Sequence, residues 1–164
     1  MPNPDAKKRE ELAAFGRAFS SNIPHNAALG LELLDFERSS GMACMRLPFS
    51  SQLVGNPETG VLHGGALTSL VDATCGAAVF LGMQPLRPIA TLDLRIDHLA
   101  AVPPGEGVSC RAHCVKMTRH VAFVRAVAFV HDEADPVATA AATFRVFGSR
   151  STKASRSNEG ETVS

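Results

Sequence analysis

One run constrains the fold more than any other: Gly64-Gly65-Ala66-Leu67-Thr68-Ser69-Leu70-Val71-Asp72-Ala73-Thr74-Cys75-Gly76 and on to Leu81, whose only charged residue is Asp72. On a 3.6-residue wheel Leu67, Leu70, Val71, Thr74, Ala78 and Leu81 form one apolar stripe. Asp72 falls almost opposite, beside Thr68, Ser69, Gly76 and Val79. The pattern predicts a helix buried along that stripe, ending near Gly82 with Pro85 just beyond. The stretch before it, Asn56-Pro57-Glu58-Thr59-Gly60-Val61-Leu62-His63, is turn chemistry. A glycine pair at a helix start leaves backbone N–H groups bare and lets a ligand approach them closely. Those orphan donors and the positive end of the helix dipole favour negative charge. The run therefore reads as an anion-stabilising helix start with a carboxylate two turns further on.

At 164 residues the chain is long enough for one domain with a substantial core. Lys plus Arg number 16 and Asp plus Glu 16, so no global field draws in nucleic acid or an anionic membrane. Nine Phe with no Trp or Tyr argue against base-stacking platforms. The segment Met1 to Glu10 is charged and no apolar h-region follows it, so a secretion signal is not expected. The apolar run from Ala66 to Leu81 is read as too short to span a bilayer. Cys44, Cys75, Cys110 and Cys114 contain no CxxC pair and read as reduced, mostly buried thiols of a cytoplasmic protein. Cys110 and Cys114 share one strand face with His113 on the other, a poor zinc site, and no metal is expected.

Along the chain, residues 5 to 19 pattern as an amphipathic helix with Leu12, Phe15 and Phe19 on one side. Ile23-Pro24-His25-Asn26 reads as the start of a loop. Leu31 to Phe36 and Met42 to Phe49 read as a hairpin around Ser39-Ser40-Gly41. A polar loop from Ser50 to Gly60 leads into the long helix. Four strands follow: Ile89 to Leu99, a second from Val108 past Cys114, Val121 to Val130, and Val137 to Phe147. In the first of these, Leu92, Leu94 and Ile96 alternate against Thr91, Asp93, Arg95 and Asp97, which predicts Thr91 on the face away from the leucines. Ala122, Ala126, Ala128, Ala138, Ala140 and Ala142 are small inward residues that let a sheet curl closely around a helix. The fold class is α+β, an antiparallel sheet wrapped on one helix. The expected division is an N-terminal helix and lead-in over 1–22, the main domain over 23–148 and a polar, disordered tail over 149–164.

Asn56, His63-Gly64-Gly65 and Asp72, followed by four strands, resemble the hotdog-fold acyl-CoA thioesterases, most closely the phenylacetyl-CoA and small-acyl-CoA branch. The resemblance covers roughly residues 25 to 147. It implies a curved antiparallel sheet around a central helix, assembled as homodimers and usually as dimers of dimers. It also implies roles: the Gly64 N–H as oxyanion donor, Asp72 as nucleophile or general base, and Asn56 and His63 positioning water, carbonyl and loop. Thr91 matches the Ser or Thr that relatives place close to the carboxylate. Gly65, Arg119 and His120 are the substrate-binding expectations, the last two toward the phosphates of coenzyme A. This chain departs from the pattern at 97–105, where Leu99-Ala100-Ala101-Val102 replaces a basic residue common in relatives. No cofactor is implied beyond coenzyme A within the substrate.

Geometry gives a separate reason to expect a dimer. Gly64 and Asp72 stand eight residues apart, about 12 Å along one helix, yet both must reach one carbonyl carbon. Two antiparallel helices on a two-fold axis satisfy that, pairing Gly64 of one chain with Asp72 of the other. An acyl pocket is expected along that interface, lined by Leu53, Val54 and Phe80. Plainer readings stand beside these: a structural Asp72 paired with an arginine, a buried His63, Asn56 as a turn residue, Thr91 as an ordinary strand residue, Arg119 and His120 as solvated turn residues. His25, His98, His113 and His131 read as structural or exposed. The competing function is an acyl-CoA-binding sensor or carrier without turnover, and a hotdog hydratase is the third reading.

Overall fold

The apolar stripe of the central helix needs a surface to face, and a single sheet supplies it. The structure is a computed structural model and describes residues 4–148; the expected disordered tail over 149–164 lies outside the described residues. The elements run α1 (Pro4–Gly16), a π-helical turn (Arg17–Ser21), α2 (Pro24–Ala28), β1 (Glu32–Glu37), β2 (Met42–Leu47), a 3-10 turn (Ser51–Leu53), β3 (Val54–Asn56) and β4 (Val61–Leu62). The chain continues through α3 (Gly64–Leu81), β5 (Ile89–His98), β6 (Val108–Met117), β7 (Val121–Phe129) and β8 (Ala138–Val146). Six strands form one antiparallel sheet in the order β1-β2-β6-β7-β8-β5. β5 is therefore an edge strand ten residues long.

The stripe is buried as its period requires: Leu67, Leu70, Val71, Thr74, Ala78 and Leu81 all lie in the core. Each large apolar side chain so buried contributes about 1.5–3 kcal/mol. The facing strands present Ala112, Ala122, Ala126, Ala140 and Ala142, also buried, and these small residues let the sheet close round the helix. At 18 residues and a mean hydropathy of 1.4, α3 is as long and apolar as a membrane span, but here it packs against the sheet. The N-terminal segment is part of the same core. Phe15 stacks on Phe19, Phe15 meets Phe36, and Phe19 meets Phe80 of α3.

Three local features differ from the sequence expectations. Pro24 does not open a loop but starts the short helix α2, a position where proline's fixed φ suits the first helical residue. The loop from Ser50 to Gly60 contains half of a small hairpin, β3 paired with β4. Most consequential is a β-bulge in β5, where the register against β8 shifts between Thr91 and Asp93. Leu92 is the extra residue and is 58% exposed. One inserted residue reverses the alternation. Thr91 therefore shares a face with Leu94 and Ile96, against the expectation that it points away from them.

Candidate active site

A helix start leaves four N–H groups without intrahelical acceptors. At α3 three of them are taken. His63 is the N-cap, and its Nδ1 accepts from the Gly65 N–H at 2.9 Å. The His63 carbonyl accepts from Ala66 at 3.0 Å and, as the first regular bond of the helix, from Leu67 at 3.4 Å; the third orphan donor taken is the His63 N–H itself. Among the described residues, the Gly64 N–H has no acceptor. His63 is held from below as well, its own N–H donating to the Leu53 carbonyl at 2.8 Å. Two glycines make room for it. A Cβ on Gly55 would stand 2.9 Å from His63 Cα, and one on Gly65 would stand 2.9 Å from His63 Nδ1. His63 thus works as a cap that consumes the second glycine's amide and leaves the first exposed.

Asp72 is half-buried on the same helix, two turns on. The Thr91 hydroxyl donates to its Oδ1 at 2.9 Å. Its other oxygen carries no partner, and no cation pairs with it among the described residues. The bulge in β5 is what brings Thr91 to this side of the sheet. Neighbouring thiols offer no competing nucleophile. Burial pushes Cys75 far up, and it pushes Cys110 up to about 12, a rise the Thr74 hydrogen bond partly offsets.

The remaining sequence candidates lie apart from this pair. Asn56 closes the β3–β4 turn, its Oδ1 accepting from the Glu58 N–H at 2.9 Å. Arg119 and His120 sit in the β6–β7 turn beyond the C-terminal end of α3; Arg87 Nη1 donates to the Arg119 carbonyl there and the His120 carbonyl accepts from Val146. Asp72 opens onto a cavity of about 460 Å³ between α3, β5 and the N-terminal segment. Of the three residues expected to line an acyl pocket, Phe80 lines this cavity. Leu53 and Val54 do not; they line a separate hollow of about 330 Å³ beside His63 and Gly65.

His25, structural or exposed on the sequence reading, is exposed and also lines the cavity. His25 of α2 reaches Ser69 of α3, Nε2 to Oγ 3.2 Å. The single Ser69 hydroxyl proton goes to the Gly65 carbonyl, 3.1 Å away, so the His25 ring nitrogen is the donor. The available signal was Pro24, which marks a helix start and so gives His25 a fixed direction.

Comparison with known proteins adds to this geometry. Residues 59–137 match the thioesterase superfamily. The medium/long-chain acyl-CoA thioesterase YigI of Salmonella typhimurium is 31% identical over 155 residues, covering 84% of this chain and 94% of the relative. A solved protein of Pseudomonas aeruginosa is 35% identical with a TM-score of 0.73, covering 83% of this chain and 99% of its own. The PaaI protein from the phenylacetic acid degradation operon of Escherichia coli, at 18% identity, shares the fold with a TM-score of 0.72, covering 85% and 95%. The hotdog fold expected from the sequence is the fold observed.

Proposed function

The chain belongs to the thioesterase superfamily, and from that premise we propose that it hydrolyses an acyl-CoA thioester to the free acid and coenzyme A at a site shared by two protomers. The observation that carries the reading is the Gly64 amide, the one N–H of the first helical turn without an acceptor among the described residues. It stands where a developing oxyanion would be held, with the helix dipole behind it. Asp72 is the second group. As general base it takes a proton from water, whose oxygen attacks the carbonyl carbon; the C–S bond then breaks and the leaving thiolate takes the proton back. As nucleophile it attacks directly, expels the thiolate and is released from the anhydride by water. Thr91 holds the carboxylate in either case, and His63 and Asn56 fix the helix start and the turn before it. Gly65 lets the His63 cap form.

Eight residues of helix, about 12 Å, separate Gly64 from Asp72, so one chain cannot bring both to one carbon. The open ladder of β5 suits pairing with a second copy across a two-fold axis, which would run the two α3 helices antiparallel. The relatives named as acyl-CoA thioesterases support the substrate class. Arg119 and His120, at the far end of α3, would serve a coenzyme A bound at another protomer's site, in keeping with a dimer of dimers. The test is a panel of acyl-CoAs with a thiol-reactive dye, with a protein-only control for the four cysteines. Asp72→Asn should lower kcat by about 10² or more while moving KM little. Unchanged hydrolysis in that variant rejects the assignment. Binding without thiol release by the unaltered protein points instead to the sensor.

A further inference from the structure

We infer that the cavity beside Asp72 is an acyl-length gauge for straight chains of roughly eight to ten carbons, closed at its far end by the Phe19–Phe80 ring pair. The inference rests on the proposed site and says which substrates that site prefers. One face of α3 floors the cavity from Asp72 through Ala73, Gly76 and Ala77 to Phe80, residues recurring at helical spacing along one continuous groove. Its polarity is graded. Along α3, Thr68, Ser69 and Asp72 stand at the carboxylate end and only Ala, Gly and Phe follow, while Asn26 at the Phe19 end has its amide engaged by the Phe19 carbonyl. The opposite wall is Ile89, Leu94 and Phe144, and the N-terminal segment covers it with Phe19 and Ile23.

The far end is fixed, not loose. The Phe19 and Phe80 centroids are 5.3 Å apart. The side chain of Asn26, itself buried, donates to the Phe19 carbonyl at 2.6 Å and ties the π-helical turn onto α2. The His25–Ser69 hydrogen bond pins α2 at the carboxylate end of the groove. Length follows from the helix. Asp72 and Phe80 are eight residues apart, about 12 Å. An extended chain advances about 1.2 Å per bond, so about ten bonds fill that span. An aryl group would fill only the mouth, and a much longer chain would have to part the two rings.

The experiment measures kcat/KM for straight-chain acyl-CoAs from butyryl to palmitoyl, and for phenylacetyl-CoA, in the full-length protein and its variants. The unaltered protein should peak at C8–C10. A Cβ on Gly76 would meet Ile89 and Phe144 only at ordinary contact, 3.9 Å, so Gly76→Val should fold and fill the lumen with its branches. It should lower the C10-to-C4 ratio about tenfold or more. Phe80→Ala should raise the C14-to-C8 ratio about tenfold, with Phe80→Leu as the milder variant should Ala unfold the core. A length profile unmoved by folded Gly76 and Phe80 variants overturns the gauge, as does faster hydrolysis of phenylacetyl-CoA than of octanoyl-CoA. Asp72→Asn, measured on the same series, separates the two readings. Loss of hydrolysis at every length with an unmoved profile leaves the site and removes the gauge. A profile that moves while Asp72→Asn stays active keeps the gauge and removes the site.

Discussion

Thr91 has one hydroxyl proton, and its destination decides how Asp72 stands. Donated to Oδ1 at 2.9 Å, it fixes one carboxylate oxygen and leaves the other free toward the cavity. A hydrogen bond to a charged group contributes about 1.5–3 kcal/mol. Thr91→Val keeps the branched shape and removes only the proton, so kcat should fall by about ten- to a hundredfold with KM within about twofold. Steady-state kinetics on one acyl-CoA decides it: a rise in KM with kcat intact would make Thr91 a wall of the pocket and not a brace for Asp72. His25 shows the opposite kind of residue. Its partner Ser69 lies 44 positions away in sequence, so Pro24 can mark the helix start that carries His25 but nothing local names the partner. Gly64, His63 and Asp72 were legible because their spacing along one helix is itself the signal.

At the scale of elements, the start of α3 is a built assembly of His63, Gly55 and Gly65. Gly65→Ala would push a methyl to 2.9 Å from His63 Nδ1 and break the cap. Loss of an N-cap costs about 1 kcal/mol, or about 2–4 °C in Tm for a protein of this size. The freed ring would also disturb the Gly64 amide, so activity should fall further than the Tm shift accounts for. Thermal unfolding and kinetics on the one variant check both; a lowered Tm with full activity would make the cap structural only. The helix was legible for the reason that any strongly periodic run is: its apolar stripe allows one orientation against a sheet. Thr91's facing was not legible from alternation. Alternation presumes one residue per ladder step, and the bulge at Leu92 spends two against one, a choice made by the pairing of β5 with β8 and not by β5 alone. The β3–β4 hairpin is not legible in the sequence because two- and three-residue strands carry too little pattern to separate from turn chemistry.

For the whole molecule, the decisive matter is whether catalysis belongs to one chain or to two. The helix alone argues for two, since Gly64 and Asp72 lie about 12 Å apart along its axis. Complementation tests this directly. Gly64→Pro removes the amide hydrogen at the first helical position, where proline is well accommodated, and the extended His63 before it, at φ −67° and ψ 131°, suits a following proline. Asp72→Asn removes the carboxylate. Each variant alone should be nearly inactive. In a dimer holding one chain of each, one site has lost both groups, while the other pairs the intact Gly64 of the second chain with the intact Asp72 of the first. Unfolding and refolding an equal mixture makes half of the dimers mixed, each with one of its two sites whole, so about a quarter of the unaltered activity should return. If both groups acted within one chain, every site in the mixture would lack one of them and nothing would return. Recovery near a quarter, measured beside each variant refolded alone, places the carbonyl carbon between two protomers; its absence from a mixture proven to contain mixed dimers confines the reaction to one.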